Sequence, residues 1–420
     1  MRYFVKGGKK LEGKIQVSGN KNSVFPCVAA ALLTEEEVIL DNIADLKDTT
    51  VLINILNKLG IYAKKVDSTL TIKAENINHA TLPEKLMTKL RGSLVLVGSM
   101  LARKDKVTFW HPGGDIIGRR SIDTHIEGFK ALGASVKRDN LRYTLNLPKT
   151  GNGKQVDIFL KETSVTATEN LILASVLGDR TVTLRNCAKE PHIVDLCNML
   201  LQMGAKIDGI GTDTLVIDGV SKLFGTKFRI RIDYIEIGTY AVAAAITGGR
   251  IKLEGIDNTD LDPIHSPLKD FGIKMEREDG AITFWSEKLK SPPRLTTNIW
   301  PGFPTDLMSV AIVLATQSKG VVLCHDWMYE SRMFFVDKLI SMGAQIVLAD
   351  PHRVLISGPS KLKGRNVDTP DIRAGMAMVL ASLVAKGKSI IGQAELIERG
   401  YEDVVGKLRS LGAEIERFDV

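Results

Sequence analysis

The sequence has no long apolar run. No stretch of its 420 residues approaches the roughly 18–20 apolar residues that a membrane-spanning helix needs. Met1–Lys6 leads at once into Gly-Gly-Lys-Lys instead of the apolar core of a signal peptide, so we expect a cytoplasmic protein. A hydrophobic content of 44% argues against disorder, because enough apolar surface exists to offset the entropy of folding. The length predicts two or three domains.

Cysteine is scarce and shows no metal-binding pattern. The four cysteines are Cys27, Cys187, Cys197 and Cys324, and no two have C-x-x-C spacing. This spacing argues against a zinc ribbon and against a thioredoxin-like redox site. Each cysteine lies among apolar residues, so we expect buried, reduced thiols.

Aromatic residues and excess charge are also limited. Aromatics make up 6% of the chain, and 56 basic against 49 acidic residues give a net charge of +7. A nucleic-acid-binding protein usually clusters its basic residues beside stacking aromatics, whereas here they are spread along the chain. The positive excess fits a pocket for anionic small molecules at least as well.

One turn, an apolar residue followed by glycine and a small or branched residue, recurs six times. Its glycines are separated by 73, 71, 68, 71 and 69 residues, by subtraction of their positions: Gly60, Gly133, Gly204, Gly272, Gly343 and Gly412. Such regular self-similarity indicates repeated structural units. Each turn follows a segment with helical apolar spacing and precedes a stretch in which apolar and polar residues alternate. This order predicts an amphipathic helix, a glycine cap and a strand with one solvent-exposed face.

A second element repeats with the same period. An Ala-rich apolar helix runs through a polar turn into a β-branched strand, as in 174–184 and 243–253. These helices lack a strong polar face and should be buried at the centre of a domain. Three units closed on themselves would give one domain and six would give two. We therefore predict an α/β protein with a first domain over 21–231 and a second over 1–20 plus 232–420.

Several segments depart from this regular pattern and carry candidate chemistry. Ser18–Asn22 precedes a buried helix expected to start near Ser23, and Lys21 there could complete an anion site at the helix N-terminus. A turn with a solvated lysine would explain the same residues. The glycine-rich loop over 111–121 is compatible with a mobile lid or an ordinary surface loop.

Two further segments open buried helices in the second half. Asp306, in Phe-Pro-Thr-Asp, could on local grounds be only an N-terminal cap. Arg373 at a buried helix start is unusual unless an anion or carboxylate pairs with it. Cations lie near the starts of repeated helices in both halves: Lys21, Arg91, Arg120, Arg373 and Arg399. If those starts converge on a cleft between the domains, the cleft would bind a phosphorylated substrate.

Seven ordered motifs resemble a known family. They are SGNKN at 18–22, PGGDIIGRRSIDTHI at 112–126, TATENLILAS at 166–175, EPHIVD at 190–195, FPTD at 303–306, DIRAGM at 371–376 and ERGYE at 398–402. In order and spacing, over essentially the whole chain, they resemble the UDP-N-acetylglucosamine 1-carboxyvinyltransferases of the enolpyruvyl transferase superfamily. The resemblance implies two inside-out α/β barrel-like domains, each of three pseudosymmetric repeats, with the active site in the interdomain cleft.

The resemblance also implies a reaction. The enolpyruvyl group of phosphoenolpyruvate passes to the 3-hydroxyl of UDP-N-acetylglucosamine and phosphate leaves, the first committed step of peptidoglycan synthesis. It implies no metal and no organic cofactor, and only these small-molecule substrates as partners. We also expect no nucleic-acid or membrane partner and a monomer. By motif position, Lys21, Arg120 and Arg399 would bind phosphoenolpyruvate, and Asp306 would contact or deprotonate the attacking hydroxyl.

The remaining motif positions would line the acceptor side. By motif position Asn22, Arg91 and Asp123 would help hold the nucleotide sugar, and the other substrate contacts would be Ser121, Ile122, Thr124, Ser164, Val165 and Met328. Glu330, Arg332 and Arg373 match substrate-binding cleft residues of the family to which the resemblance assigns no single role. The loop around residue 115 would close as a lid and exclude water.

The loop departs from the usual family pattern at Asp115, where most members have cysteine. Some members carry aspartate, so we expect an active enzyme with different proton chemistry. An unperturbed aspartate, with a pKa of about 3.9, is roughly one part in a thousand protonated at pH 7. Asp115 would therefore need its pKa raised by substrate phosphate or burial to act as a general acid. Fosfomycin, which alkylates the family's cysteine, should fail here.

Other departures fall near the nucleotide pocket, at Ser121, Thr124, Thr166 and Tyr234. The alternatives are an enolpyruvyl transferase with another acceptor, such as shikimate phosphate or a different nucleotide sugar, and a non-catalytic paralogue. The glycine-asparagine phosphate motif of the shikimate branch is absent here, which argues against that acceptor. The presence of Lys21, Arg120, Asp306 and Arg399 argues against a non-catalytic paralogue.

Overall fold

A computed structural model describes residues 1–114, 117–118, 120–148 and 155–419. Its helices are α1 (Lys21–Ala31), α2 (Lys47–Lys58), α3 (Glu84–Met87), α4 (Leu96–Lys104), α5 (Asp123–Ala131), α6 (Val165–Ser175), α7 (Pro191–Gln202), α8 (Tyr234–Thr247), α9 (Asp262–Asp270), α10 (Met308–Gln317), α11 (Val336–Ser341), α12 (Ile372–Val384) and α13 (Val404–Ser410). Short 3₁₀ helices cover Arg91–Val95, Thr305–Leu307 and Ala394–Arg399.

The strands of the described chain are short, mostly of five residues. They are β1 (Arg2–Lys6), β2 (Glu12–Gln16), β3 (Glu37–Asp41), β4 (Tyr62–Val66), β5 (Thr69–Lys73), β6 (Lys106–Trp110), β7 (Ser135–Asp139), β8 (Arg142–Asn146), β9 (Gln155–Phe159), β10 (Thr181–Arg185), β11 (Lys206–Asp208), β12 (Thr214–Asp218), β13 (Thr226–Arg229), β14 (Arg250–Glu254), β15 (Lys274–Glu278), β16 (Ala281–Trp285), β17 (Arg294–Thr296), β18 (Gly320–His325), β19 (Gln345–Asp350), β20 (Arg353–Gly358), β21 (Asn366–Asp368), β22 (Lys388–Gly392) and β23 (Glu414–Phe418).

Contacts divide the described chain into two compact units. The terminal unit contains 1–18, 117–118 and 232–419, and the central unit contains 19–114, 120–148 and 155–231. In the terminal unit β1 pairs antiparallel with both β22 and β23, so the first strand of the chain is hydrogen-bonded next to the last. Each unit has its own hydrophobic core.

Each core is built around three apolar helices. In the central unit these are α1, α4 and α6, and in the terminal unit α8, α10 and α12. The prediction that the small-residue helices are buried is confirmed: ten of the eleven residues of α1 and twelve of the thirteen of α12 are buried. Alanine makes this possible, because its short side chain lets a helix be surrounded by neighbours on all sides. None of the described helices combines the length and apolarity needed to cross a bilayer.

The six predicted glycine turns are all present. The glycines that follow α2, α5, α7, α9, α11 and α13 have φ between +86° and +105°. A left-handed residue ends a helix by redirecting the chain, and glycine adopts it without steric cost because it has no Cβ. The period read from the sequence is therefore a repeated helix cap.

Six separate sheets surround these turns in the described residues, three in each unit, rather than one closed barrel per unit. Their strand orders are β13-β3-β5-β4, β6-β8-β7, β11-β12-β10-β9, β15-β16-β14-β2, β17-β18-β20-β19 and β21-β22-β1-β23. The strand directly after each glycine turn forms one edge of its sheet. These six edge strands are β4, β7, β11, β15, β19 and β23.

Candidate active-site residues in the two units

In the central unit, Lys21 is the first residue of the buried helix α1. The helix begins two residues earlier than the expected Ser23, because Asn20 acts as the N-cap and its side chain accepts a hydrogen bond from the backbone N–H of Asn22 at 2.8 Å. Lys21 therefore lies at the positive end of the helix dipole.

A carboxylate that the motifs did not reveal pairs with this lysine. Lys21 Nζ lies 2.8 Å from Asp48 Oδ2, and the two side chains are only 10% and 5% exposed. Asp48 lies in the first turn of α2, where an acidic residue is common at any helix start, so its sequence context suggested nothing beyond that. The pair holds an ammonium group in a place that little water reaches, which makes Asp48 a positioning residue for Lys21.

Asp195 also holds the start of α1. This buried carboxylate accepts hydrogen bonds from Ser23 Oγ at 2.7 Å and Arg231 Nε at 3.0 Å. Arg231 in turn accepts a hydrogen bond on its carbonyl oxygen from the N–H of Asn20 at 2.7 Å. The N-cap of α1 and its first turn are thus held by one network.

Arg91 and Arg120 flank the same glycine. Arg91 donates a hydrogen bond to the carbonyl oxygen of Ser121 at 3.1 Å. Gly114 has φ +121°, and a Cβ there would lie 2.9 Å from Arg91 Cβ and 3.7 Å from Arg120 Nη1. Glycine is favoured in this position by its backbone conformation and by the close approach of Arg91.

The neighbouring predicted residues open helices α5 and α6. The Ser121 hydroxyl accepts a hydrogen bond from the N–H of Asp123 at 3.0 Å, and Ser164 caps α6 by accepting one from Ala167 at 3.4 Å. Of the other predicted residues here, Ile122 is buried, and Thr124 and Val165 are partly exposed.

Thr166, one of the departures from the family pattern, bonds to a buried histidine. Its hydroxyl lies 2.9 Å from His125 Nε2. Burial, assisted by the positive charge of Arg91, lowers the pKa of His125 to about 3, so the imidazole is neutral. The hydroxyl of Thr166 therefore ties the first turn of α6 to the first turn of α5 at the place where the departures cluster.

In the terminal unit, Asp306 lies between two buried arginines. Arg332 Nη2 donates to Asp306 Oδ1 at 3.0 Å, while Arg373 Nε and Nη2 donate to Oδ2 at 3.0 and 2.9 Å. The arginine side chains are 2% and 6% exposed, and that of Asp306 is 30% exposed. Burial alone would lower the pKa of Arg373, but Asp306, Tyr401 and Asp233 outweigh it and raise that pKa above its ordinary value.

The local interpretation of Asp306 as a helix cap is wrong. Helix α10 begins at Met308 without a side-chain cap, and Asp306 lies in the preceding 3₁₀ turn. The cap of α12 is instead Asp371, which accepts hydrogen bonds from the N–H groups of Arg373 and Ala374 at 2.9 and 3.0 Å. The oxygens of Asp306 instead face the two guanidinium groups.

Met328 and Glu330 follow a turn organised by Asp326. This fully buried carboxylate accepts hydrogen bonds from the N–H of Met328 at 3.0 Å and from the Thr305 hydroxyl, next to Asp306. Gly118 has φ +138°, a conformation that favours glycine, and a Cβ there would lie 2.4 Å from Glu330 Oε2. Met328 and Glu330 are both partly exposed.

Arg399 ends the 3₁₀ helix that precedes α13 and is partly exposed. A Cβ on the next residue, Gly400, would lie 3.6 Å from Arg373 Nη1, so the backbone after Arg399 passes beside the Asp306 cluster. Tyr401 lies under the guanidinium of Arg373, 5.2 Å from ring centroid to Cζ, and its hydroxyl bonds to Thr239 at 3.0 Å. Burial raises the pKa of this hydroxyl, although Arg373 acts in the opposite direction.

The predicted residues thus fall into groups that each unit holds by its own contacts. The central unit joins Arg91 to Ser121 and pairs Lys21 with Asp48, and the terminal unit joins Asp306 to Arg332 and Arg373. Asp115 lies outside the described residues. The described part of the chain contains no group of three or more His, Cys, Asp or Glu side chains placed to hold a metal ion.

Comparisons with known proteins agree with these motifs. The family model described as EPSP synthase (3-phosphoshikimate 1-carboxyvinyltransferase) matches residues 5–408. The chain is 45% identical to the UDP-N-acetylglucosamine 1-carboxyvinyltransferase of Treponema denticola and 46% identical to that of Borreliella burgdorferi, over 99% of this chain and 98% of each relative.

Solved structures show the same fold. The enolpyruvyl transferase NikO from Streptomyces tendae superposes with a TM-score of 0.88 at 22% identity, covering 99% of this chain and 98% of that one. An EPSP synthase from Acinetobacter baumannii superposes with a TM-score of 0.75 at 17% identity, covering both chains completely. The predicted α/β fold of the enolpyruvyl transferases is confirmed.

Proposed function

The chain belongs to the EPSP synthase family of enolpyruvyl transferases, and from this membership we infer that it transfers the enolpyruvyl group of phosphoenolpyruvate to the 3-hydroxyl of UDP-N-acetylglucosamine. The observation that carries the inference is the 45–46% identity, over 99% of the chain, to relatives named for this reaction. The relatives' name supports this acceptor over another nucleotide sugar. The reaction is the first committed step of peptidoglycan synthesis, and we expect it in the cytoplasm.

The proposed chemistry has two stages. The sugar hydroxyl adds to C2 of phosphoenolpyruvate and loses its proton, while C3 gains a proton and becomes a methyl group. The tetrahedral ketal then loses phosphate and a C3 proton, which restores the double bond as an enol ether. Charge on the phosphate and carboxylate persists throughout, so positioned cations stabilise both stages.

We assign the phosphoenolpyruvate anion to Lys21, Arg120 and Arg399. The support for Lys21 is its place at a buried helix start beside Asp48, where a fixed ammonium group and the positive end of the helix dipole favour a phosphate. Guanidinium groups suit the carboxylate and phosphate because they donate two parallel hydrogen bonds.

We assign the acceptor hydroxyl to Asp306. Its two oxygens already accept hydrogen bonds from Arg332 and Arg373, and its side chain keeps 30% of its surface exposed. The part of the carboxylate that remains exposed can accept the hydroxyl proton in a hydrogen bond while the arginines hold the carboxylate still. Asp306 in this role orients the hydroxyl and receives its proton as the C2–O bond forms.

The nucleotide sugar would meet the remaining predicted residues. In the central unit these are Asn22, Arg91, Ser121, Ile122, Asp123, Thr124, Ser164 and Val165. In the terminal unit they are Met328 and Glu330. The starts of α5 and α6 carry the partial positive charge of their helix dipoles, which favours a diphosphate. Asp115 is the proposed proton donor to C3, and we expect fosfomycin to leave the enzyme active, because a carboxylate is a weaker nucleophile than a thiolate.

The test is phosphate release from phosphoenolpyruvate with UDP-N-acetylglucosamine as the only acceptor, for the wild type and Asp115→Ala. Acceptor-dependent release in the wild type, lost in the variant, is the expected result. If Asp115→Ala still releases phosphate, the assigned reaction stands and another group is the proton donor. If the wild type releases phosphate with another nucleotide sugar but not with this one, the assigned acceptor is wrong.

A fosfomycin incubation completes the test. The compound is left with the enzyme for increasing times before assay, and activity should stay constant. Asp115→Cys is the matched variant, and it should lose activity with time. Time-dependent loss in the wild type would contradict the assignment of insensitivity to Asp115.

A further inference from the structure

The internal repeats provide six equivalent edge strands, which can be compared with one another. An edge strand exposes unpaired backbone groups, and proteins protect such edges with charged side chains. Five of the six carry at least two charged residues: Lys64 and Lys65 in β4, Lys137, Arg138 and Asp139 in β7, Lys206 and Asp208 in β11, Lys274, Glu276, Arg277 and Glu278 in β15, and Glu414, Glu416 and Arg417 in β23.

The sixth edge strand, β19, lacks this protection. Its sequence is Gln-Ile-Val-Leu-Ala-Asp, and its one charged residue, Asp350, is already paired with Arg353 Nε at 2.6 Å. Val347 and Leu348 at its centre are 63% and 42% exposed. At the position of Val347, four residues after the turn glycine, each of the other five edge strands carries a charged residue: Lys64, Lys137, Asp208, Glu276 and Glu416.

The outer face of the same sheet is apolar too. Val347 of β19 lies opposite Leu355 of β20, which lies opposite Leu323 of β18, so one aliphatic row crosses three strands. Leu355 is 43% exposed, and Val321 on the same face is 52% exposed. Exposed apolar surface that forms a continuous row, rather than scattered residues, indicates a contact surface.

The strand is also compatible with a second copy of itself. A two-fold axis normal to the sheet keeps side chains on their own faces, so the central residue of an edge strand meets its own counterpart. In β4, β7, β15 and β23 that pairing would oppose two like charges, at Lys64, Lys137, Glu276 and Glu416. Like charges directly opposite each other destabilise a pair of strands. The six-residue β19 has two middle residues, Val347 and Leu348, and pairing about Val347, the more exposed of them, opposes two valines. Strand β11, with three residues, is too short to form a ladder.

We propose that two copies of the chain associate through antiparallel pairing of their β19 edge strands about Val347. The pairing extends the four-stranded sheet across the two-fold axis and joins the two aliphatic rows into one. It differs from the monomer expected in the sequence analysis. Only a second copy is required, because the strand supplies both sides of the contact.

The contact is small, so the association is weak. A register shift between Leu348 and Asp350 limits the regular edge to about four residues. A stable interface buries about 800 Å² on each partner, more than one short strand and its flanking side chains provide. Dimer should therefore be scarce near about 1 μM and substantial only at about several hundred micromolar.

Sedimentation equilibrium of the full chain over that concentration range tests the proposal. The weight-average mass should rise from 46.0 kDa towards twice that value. Val347→Lys should abolish the rise, since it places two ammonium groups opposite each other. Val66→Lys is the matched control on β4, at a position 56% exposed, and should leave the rise unchanged.

A cross-linking experiment locates the contact. All four native cysteines are buried, so Val347→Cys creates a single exposed thiol, and mild oxidation should cross-link it at least tenfold faster than Val66→Cys. A constant mass of one chain at all concentrations would overturn the proposal. So would association that persists in Val347→Lys, or equal cross-linking rates at the two positions.

Discussion

Replacing Asp48 with asparagine tests how the candidate phosphate site is built. Asparagine has nearly the same shape as aspartate but no charge, so the change removes the counter-charge of Lys21 and little else. The two side chains are 10% and 5% exposed and their charged atoms are 2.8 Å apart. The variant therefore leaves an ammonium group buried without its carboxylate.

The magnitude follows from that burial. Removing one partner of a buried ion pair costs about 3–5 kcal/mol, because the remaining charge has lost water and gained nothing. We expect the free energy of unfolding of Asp48→Asn to fall by about 3 kcal/mol. If Lys21 also loses its position, a charged hydrogen bond to the phosphate worth about 1.5–3 kcal/mol is lost, which is about 10- to 150-fold in kcat/KM for phosphoenolpyruvate.

Urea denaturation and steady-state kinetics with each substrate varied in turn measure both effects. The KM for the nucleotide sugar should change little, since Asp48 acts through Lys21. Asp45→Asn is the matched control: Asp45 pairs with Lys65 but is 79% exposed, so its loss should cost no more than about 1 kcal/mol. An Asp48→Asn enzyme with unchanged stability and unchanged kcat/KM for phosphoenolpyruvate would refute the positioning role.

Three other predictions concern buried groups. His125 has a pKa of about 3 in the folded protein against about 6.5 when unfolded, so the unfolded chain alone gains this proton as pH falls. The contribution of neutral His125 to the free energy of unfolding is complete above pH 6.5, and about 2 kcal/mol of it is lost between pH 7 and pH 5. Urea unfolding at the two pH values should therefore show a smaller loss of stability for His125→Gln. Arg332→Gln should lower kcat about tenfold or more with little change in either KM, because Asp306 loses the donor to one oxygen; an unchanged kcat would contradict this. The four buried cysteines should not react with a thiol reagent until the protein is unfolded, and burial raises the pKa of Cys187 to about 12.

The repeat architecture was available from the sequence because its causes are local. A glycine that ends a helix needs a left-handed backbone, and all six glycines of the predicted period adopt it. Likewise, a helix such as α12, with almost no polar side chains, has to be buried wherever it lies. Such features depend on residues within about one turn of each other, so their spacing along the chain is enough to find them.

The partners of the charged residues were not available in this way. Asp306 looks like a helix cap in its local sequence, and Asp48 looks like an ordinary first-turn acid. Their partners distinguish them: Asp306 pairs with Arg332 and Arg373, and Asp48 pairs with Lys21. These partners are between 26 and 67 residues away along the chain. The low-charge β19 edge likewise stands out only when six sheet edges can be compared. The sequence alone therefore determined the repeated unit and the residue types at its helix starts. Only the tertiary structure decided which charges are paired and which strand edge is unprotected, because both depend on contacts between distant segments.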